Sequence, residues 1–453
     1  MKHYYLDLFG CAKNQVDAEN MMSHLDKAGW ERACDAELSD LIIVNSCGFI
    51  ESAKRESIDA VLEWRKFYPE KKILLAGCLA RRYAEELPGL LTEADIFACN
   101  TDEVVKKASD VFQLRSKLSS FSLPGERPLL SLPGSAYVKI SEGCDNSCSY
   151  CAIPLIRGGL VSRTIPDILD ECRALLKRGI NELCLVGQDI GSFGCEKGAA
   201  KLPELLNAIS ALDGNFWVRL LYIHPNHFPV QILDLIEKDS RFLPYFDIPF
   251  QHASAGILAL MNRHAAEYPA REYLELIGTI RGRLPYSVIR STFLIGFPGE
   301  TEEDFSALLD FHEKANLDWL GCFTYSREEG TESYSMKGRV PAKKAVMRKK
   351  IIEERQIPIS EKNMERFTGR NMDVLIEEKI ARDKSGGEPP AKLSPAADEI
   401  FWLGRTYCQA PEIDGATVIV CKPDNKTENI KPGEFIRCKI IARRGFDLEA
   451  KAL

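Results

Sequence analysis

EGCDNSCSYCAIP, residues 142–154, places three cysteines on one short loop. Cys144, Cys148 and Cys151, called the core trio below, follow a Cys-x3-Cys-x2-Cys pattern. Three thiolates this close can hold three irons of a cubane 4Fe-4S cluster and leave the fourth iron without a protein ligand. An iron with an open position binds a substrate or cofactor directly, as catalytic metal sites do. The pattern therefore predicts an enzyme.

A zinc site and three unrelated core cysteines are the alternative interpretations of this loop. Structural zinc usually takes four ligands in two close pairs, and the next histidine downstream, His224, is distant in sequence. Ligand number therefore favours the iron–sulfur cluster. Tyr150 places an aromatic ring beside the metal, which suits stacking of a nucleoside.

The composition limits the classes of protein to which the chain can belong. The 453 residues are 45% hydrophobic and 28% charged, as in ordinary globular proteins, and the apolar runs are too short to span a membrane. Fifteen cysteines without a signal-peptide pattern favour the reducing cytoplasm and metal binding over disulfides. The net charge of −7 argues against a dedicated nucleic-acid binder and permits a basic protein partner.

Residues 1–115 alternate continuous apolar strands with helices, which predicts an open parallel α/β sheet. Cys11, Cys47 and Cys78, called the auxiliary trio below, each directly follow such a strand. Ligands bind at the carboxyl ends of the strands in these sheets, so a second cluster site is predicted there. Three buried free cysteines are the alternative. Cys99, at the end of the fourth strand, is either an extra ligand or a bystander, and the second interpretation is preferred. The predicted strands are 3–9, 40–45, 72–77 and 94–99.

A linker at 111–133, rich in Ser, Pro and Gly, leads into a second predicted region at 130–365. Six strand–helix units predict a partial (β/α)6 barrel, similar to a TIM barrel, with its active site at the carboxyl ends of the strands. The core trio follows the first of these strands. The predicted strands are 137–141, 182–187, 217–222, 245–250, 288–296 and 319–325, and the helices are 167–177, 203–211, 229–237, 271–283 and 302–315.

The remaining sequence predicts a helix and a small β-domain. Residues 341–367 are a charged helical stretch that Pro358 is expected to kink or interrupt. Residues 368–445 predict a small antiparallel barrel, and 383–399 are interpreted as a flexible inserted loop. The predicted barrel strands are 372–378, 402–409, 416–421 and 434–444, separated by turn signals at 413–415, 423–426 and 431–433.

Four motifs along the chain point to one family: GCAKNQVDAE (10–19), NSCGFI (45–50), EGCDNSCSYCAIPLIRGGLVSR (142–163) and GFPGETEEDF (296–305). With them, the chain resembles the radical S-adenosylmethionine methylthiotransferases along nearly its whole length. This resemblance implies an N-terminal cluster domain, a central radical SAM barrel and a C-terminal, OB-like TRAM domain.

Two branches of the family differ in substrate, which is either tRNA adenosine or an aspartate of small-subunit ribosomal protein twelve. VGQDIGSFG (186–194), YFDIPFQHAS (245–254) and APEIDGATV (410–418) resemble the ribosomal-protein branch. The tRNA branch typically has Asn in place of Asp189 and Ser-Gly in place of His252 and Ala253. Residues 371–453 contain 13 Lys and Arg against 14 Asp and Glu, whereas a tRNA-binding module is expected to be basic. A near-neutral segment suits a basic ribosomal protein.

The resemblance also implies a mechanism. S-adenosylmethionine would bind the open iron of the core trio's 4Fe-4S cluster and, on reduction, yield a 5′-deoxyadenosyl radical. That radical would remove hydrogen from the β-carbon of the aspartate, which acid–base catalysis does not activate. The auxiliary trio's 4Fe-4S cluster would hold the sulfur, and a second S-adenosylmethionine would supply the methyl group. An external electron donor is required, and the enzyme is expected to be a monomer.

Further residues are candidates for binding S-adenosylmethionine. Gly187 and Gln188, at the end of the second barrel strand, are placed to contact its amino group, although a buried structural amide is the alternative. Arg157 and Arg163 follow the cluster loop and either pair with a carboxylate or lie on the surface. Gln251 and Arg290, at or near strand ends, are the candidates for contact with the ribose or carboxylate of S-adenosylmethionine. Tyr150, on the cluster loop, is a separate candidate for stacking on the nucleoside.

Two other classes of protein compete with the enzyme. An electron-transfer or sensing protein would saturate its clusters with four cysteines, whereas each trio here supplies three. A zinc-stabilised RNA-binding protein is disfavoured by the negative net charge.

Overall fold

The computed structural model describes residues 2–112, 126–263, 267–380, 400–422 and 429–453. The inserted loop predicted at 383–399, the turn at 423–426 and most of the linker lie outside the described residues. Along the described part of the chain, no helix is long and apolar enough to cross a bilayer.

The N-terminal region is an open parallel sheet with the strand order β2-β1-β3-β4-β5. Its central strand, LIIVNS, is buried along its whole length, which is why its sequence is continuously apolar rather than alternating. The elements are β1 (Lys2–Leu8), α1 (Ala12–Lys27), β2 (Trp30–Arg32), β3 (Leu41–Ser46), α2 (Glu51–Phe67), β4 (Lys72–Gly77), α3 (Cys78–Arg82), α4 (Leu87–Leu90), β5 (Ile96–Phe97) and α5 (Thr101–Val111).

The central region is a parallel sheet that does not close, with the strand order β13-β12-β11-β10-β9-β6. It is the partial barrel that the sequence predicts. The elements are β6 (Ser135–Lys139), β7 (Ser141–Glu142), α6 (Ile153–Arg157), β8 (Val161–Ser162), α7 (Ile165–Lys177), β9 (Glu182–Val186), α8 (Leu202–Ser210), β10 (Trp217–Leu220), α9 (Ile232–Lys238), β11 (Phe242–Asp247), α10 (Ala255–Leu260), α11 (Pro269–Arg283), β12 (Val288–Ile295), α12 (Glu302–Ala315) and β13 (Trp319–Thr324).

A single helix, α13 (Ala342–Glu365), continues through Pro358, so the predicted interruption is wrong, and a kink there stays a prediction. Buried hydrogen bonds hold the helix on both sides of the proline. Gln356 Nε2 donates to the carbonyl of Leu317 at 2.8 Å, and Ser360 Oγ donates to that of Asp318 at 2.7 Å. These contacts with the barrel offset the backbone hydrogen bond that proline removes.

The C-terminal region is a closed five-stranded barrel with the strand order β14-β15-β16-β18-β17. Its strand pairs are antiparallel except β16 with β18, which is parallel. The closing strand, DLEAKA, was not predicted because its charged residues hide the buried Leu448 and Ala450. The strands are β14 (Asn371–Ile380), β15 (Ile400–Arg405), β16 (Thr417–Cys421), β17 (Phe435–Arg444) and β18 (Asp447–Ala452).

The two faces of the central sheet have different partners. On β9, Leu183 and Leu185 pack among the surrounding helices, whereas Cys184 and Val186 belong to a core shared with the C-terminal barrel. The period of two along a strand directs alternate side chains to these two faces. The C-terminal barrel therefore covers the inner face of the central sheet.

Buried charges join these two regions. Glu182 receives hydrogen bonds from Arg219 Nε and from Arg405 Nη2, both at 2.7 Å. Burial alone would raise the pKa of Glu182, but Arg405 and Arg219 lower it to about 2. The carboxylate therefore stays ionised and fixes β15 of the C-terminal barrel against β9 and β10 of the central sheet.

We expect Glu182→Gln to destabilise the protein by about 3 kcal/mol, because it removes the carboxylate that pairs with the buried Arg219 and leaves the buried Arg405 with Glu377 alone. The contribution is present above the unfolded pKa of about 4.3 and is lost as the pH falls toward the folded value of about 2. The urea midpoint at pH 7, followed by tryptophan fluorescence, measures the effect. The exposed Glu204→Gln on α8 is the control, and equal midpoints for the two variants would contradict this account.

Candidate metal centres at the domain junction

The auxiliary trio lies at the carboxyl ends of three neighbouring parallel strands. Cys11, Cys47 and Cys78 follow β1, β3 and β4, which are adjacent in the sheet. Gly10 has a φ of +101°, and a Cβ added there would lie 3.4 Å from the sulfur of Cys47. The sequence prediction that these cysteines share one edge of the sheet therefore agrees with the structure.

The thiols of the auxiliary trio influence one another electrostatically. Burial raises the pKa of Cys47 to about 11, and the charges of Cys78 and Cys11 add to this effect. Desolvation opposes ionisation of Cys11, but Lys13, nearby backbone N–H groups and Arg157 lower its pKa. A metal that binds here must displace the protons that burial favours on Cys47 and Cys78.

The core trio is held on a loop between β7 and α6. Gly143, with a φ of +69°, must be glycine because a Cβ there would lie 2.0 Å from the carbonyl oxygen of Gly159. The N–H of Cys144 donates to the carbonyl of Gly158 at 3.2 Å, and the N–H of Cys151 to that of Cys148 at 3.0 Å. The loop geometry is therefore set by backbone hydrogen bonds.

Burial keeps two thiols of the core trio protonated. It raises the pKa of Cys144 to about 11 and that of Cys151 to about 12, and the charge of Cys148 contributes to both. The buried Arg263, after α10, places Nη1 3.8 Å from the Cys148 sulfur and 3.3 Å from the Tyr150 hydroxyl. The sequence analysis missed Arg263, since no motif spacing connects it with the loop.

The donor sets fit two iron–sulfur clusters. Each trio has three thiols within electrostatic range of one another and a guanidinium beside one sulfur, which offsets thiolate charge. Among the described residues, no three His, Cys, Asp or Glu side chains converge on a single metal ion. A cubane has a different requirement, because each thiolate binds its own iron.

Arg157 connects the auxiliary trio with the start of the core loop. Its Nη2 lies 3.2 Å from the sulfur of Cys78, and its Nη1 donates to Glu142 at 2.6 Å and to Asp17 at 2.9 Å. The residue is buried, so the alternative of a surface arginine is wrong for it. Its carboxylate partners belong to this chain, and contact with S-adenosylmethionine stays a prediction. Cys78 also packs with Ala152 and Ile156, which follow Cys151, so the auxiliary trio lies beside the end of the core loop.

The other candidate ligands divide into two groups. Gly187 and Gln188 follow β9, and Gln251 follows β11, so all three lie at the carboxyl edge of the central sheet. Arg290 lies in the amino-terminal half of β12 and pairs with Asp247 at 3.1 Å and with a C-terminal aspartate at 3.7 Å. The structure therefore brings the first three to the core trio's edge of the sheet, whereas Arg290 is already paired with two carboxylates.

Arg163 and His252, a position that differs between the two branches of the family, have identifiable structural partners. Arg163 donates to the carbonyl of Lys139 at 2.9 Å and to a carboxylate oxygen of Glu171, within the barrel. His252 is fully buried, which lowers its pKa to about 4, and its Nδ1 accepts the N–H of Ser254 at the start of α10. Neither arrangement reaches a sulfur of the core trio.

Asp189 fixes the core loop, a role that the sequence did not reveal. Asn146, between the first two core cysteines, donates to Asp189 at 3.0 Å. His227 and Ser192 contact the same carboxylate at 2.6 and 2.7 Å. Burial opposes its ionisation, but these partners and the N–H of His224 hold the pKa of Asp189 well below its usual range. Asp189 is therefore a positioning residue for the loop.

The family comparisons match each region of the chain separately. Residues 3–99 match the family described as uncharacterized protein family UPF0004, residues 138–312 match the radical SAM superfamily, and residues 368–453 match the TRAM domain. A solved radical S-adenosylmethionine methyltransferase, TsrM from Kitasatospora setae, aligns with a TM-score of 0.53. It is 14% identical and covers 73% of this chain and 77% of its own, so it supports the fold alone.

Curated relatives match the chain end to end. The ribosomal protein uS12 methylthiotransferase RimO of Treponema denticola is 45% identical, covering 99% of this chain and 100% of its own. The chain belongs to the RimO family. RimO of Carboxydothermus hydrogenoformans is 38% identical and covers 100% of this chain and 99% of its own. Membership of the RimO family confirms the resemblance, the ribosomal-protein branch and the α/β fold class with its TRAM barrel.

Cys99 lies near the auxiliary trio. It lines a small cavity of about 150 Å³ together with Cys78 and Arg157. Its thiol points to the carbonyl of Ala80, with a sulfur–oxygen distance of 3.8 Å. The interpretation of Cys99 as a bystander stays a prediction.

We expect each trio to hold about four of roughly eight irons per reconstituted chain. Replacing all three cysteines of either trio by Ala should therefore halve the iron and sulfide content. Cys34 and Cys195 are exposed cysteines outside both trios, and the variant with both changed to Ala should keep all its iron. Full iron in either triple variant, or complete loss in one of them, would contradict two separate sites.

Proposed function

We propose that this chain adds a methylthio group to the β-carbon of an aspartate in ribosomal protein uS12, using S-adenosylmethionine and two 4Fe-4S clusters. The observation that carries the proposal is the contact of Arg157 with the Cys78 sulfur of the auxiliary trio and with Glu142, two residues before the first core cysteine. This contact would place the two metal centres facing each other. The named activity of the relatives supports the same reaction and substrate.

The core trio is assigned to the cofactor that starts the reaction. When bound, its cluster supplies the electron that cleaves S-adenosylmethionine and yields a 5′-deoxyadenosyl radical. Tyr150 is held by Arg263 through its hydroxyl and by Phe297 through an edge-to-face ring contact at 6.3 Å. A ring fixed in this way is available as a flat surface for the cofactor.

Residues at the carboxyl edge are assigned to orienting S-adenosylmethionine. Gly187 has no room for a side chain, because a Cβ there would lie 2.7 Å from Ser141 Oγ, so the backbone passes close to the core loop. Gln188 and Gln251 offer amide groups at the same edge. Gln251 holds a left-handed φ of +67° while its backbone pairs with β12, a conformation that costs energy and is typical of functional sites.

The auxiliary trio is assigned to holding the sulfur that is transferred. Because Arg157 keeps Cys78 beside the core loop, a substrate carbon between the two trios is accessible to both reactions, hydrogen removal and sulfur addition. The C–H bond at the β-carbon has no useful acidity, so radical removal of hydrogen replaces a general base. A second S-adenosylmethionine supplies the methyl group.

The proposal has consequences for partners. The one-electron step requires an external electron donor, and the chain is assigned to the cytoplasm as a monomer that binds uS12. The TRAM region carries nearly balanced charge, which suits contact with a basic ribosomal protein better than with a phosphate backbone. The tRNA alternative is not favoured, because the relatives compared above are uS12 methylthiotransferases.

We expect the reconstituted enzyme, given S-adenosylmethionine, dithionite and uS12, to place a methylthio group on one aspartate of uS12 and to release 5′-deoxyadenosine. Mass spectrometry of uS12 and of tRNA incubated in parallel identifies the product. The triple alanine variant of the core trio should form neither product, since it lacks the radical-generating site. A methylthio group on tRNA, or 5′-deoxyadenosine from that variant, would overturn the assignment.

A further inference from the structure

Lys13 is a buried lysine at the start of α1, at the junction of the first two regions. Its side chain is only 6% exposed, and its Nζ lies 3.4 Å from the centre of the Tyr222 ring. Among the described residues, no carboxylate oxygen lies within the 4.0 Å of an ion pair with this nitrogen. A buried ammonium without counter-charge is costly, and the cation–π contact offsets only part of that cost. Such a group indicates an anion that arrives with a ligand.

The neighbouring cations differ from Lys13 in this respect. Arg290 is paired with Asp247 at 3.1 Å and with Asp414 at 3.7 Å. Arg157 is paired with the two carboxylates described above. Lys13 is therefore the buried cation near Tyr222 that, among the described residues, has a positive charge available for an incoming carboxylate.

The position of Lys13 matches the place where the target aspartate must lie. Lys13 comes two residues after Cys11 of the auxiliary trio. Tyr222 comes two residues after the end of β10, at the same carboxyl edge of the barrel as Gln251. In an aspartate, the carboxylate carbon is bonded directly to the β-carbon. An aspartate held by its carboxylate at Lys13 would therefore present its β-carbon between the two trios.

We propose that Lys13 binds the side-chain carboxylate of the target aspartate and that the ring of Tyr222 holds the ammonium in place. The inference rests on the proposed function and adds a residue that determines its substrate specificity. An adenosine has no anion beside its reacting carbon, so a lysine here favours a protein substrate over tRNA. The rival role for Lys13 is to offset the negative charge of Cys11 alone.

A double-mutant cycle tests the pairing by binding rather than by turnover. The reconstituted holoenzyme and its Lys13→Met variant are each titrated with uS12 and with uS12 whose modified aspartate is changed to Asn. We expect Lys13→Met to weaken binding of uS12 about tenfold and to leave binding of the Asn form unchanged, because a charged hydrogen bond is lost only in the first case. Equal losses for both forms of uS12 would overturn the proposal.

Two controls separate this result from structural damage. Lys106→Met, which changes an exposed lysine on α5, should bind both forms of uS12 as the wild type does. Lys13→Met should keep its full iron content, whereas loss of about half the iron would support the rival role and overturn the pairing. A wild-type enzyme that leaves uS12 unmodified would overturn the proposed function itself. Modification of uS12 together with equal losses in the cycle would overturn only the assignment of Lys13.

Discussion

The architecture depends on one buried guanidinium, that of Arg157. Burying a cation is costly unless partners offset its lost hydration, and the partners of Arg157 come from two domains. Asp17 and Cys78 belong to the N-terminal sheet domain, whereas Glu142 belongs to the loop region of the barrel. The charge of Arg157 therefore fixes the orientation of the two domains and, with it, the approach of one cysteine trio to the other.

The contact between the barrel and the TRAM domain lies away from this junction. Parallel strands place residues that follow them at one edge, and both cysteine trios use that edge of their own sheets. The inner face of the central sheet is covered elsewhere, by the TRAM barrel, through the buried ion pairs of Glu182. The TRAM domain is thus fixed to the barrel on one side, while the candidate site lies between the barrel and the N-terminal domain.

The sequence predicted the parts of this protein that depend on local pattern. Apolar strands followed directly by cysteine were enough to place Cys47 and Cys78 on one edge of a sheet. Long-range contacts were not predictable in the same way. The helix through Pro358 persists because of hydrogen bonds to the barrel, and Arg263 reaches the core loop from a distant part of the chain. The sequence placed Lys13 within the motif GCAKNQVDAE but did not predict its contact with the ring of Tyr222, which comes from a distant part of the chain.

The facing arrangement of the two metal centres is the central claim, and electron paramagnetic resonance of the reduced holoenzyme tests it most directly. Two paramagnetic clusters held close together couple through their spins. We therefore expect the spectrum of the holoenzyme to be broader than the sum of the spectra of the two triple variants, each of which keeps one trio. A holoenzyme spectrum equal to that sum would contradict the account, because it would place the clusters too far apart to act on one carbon.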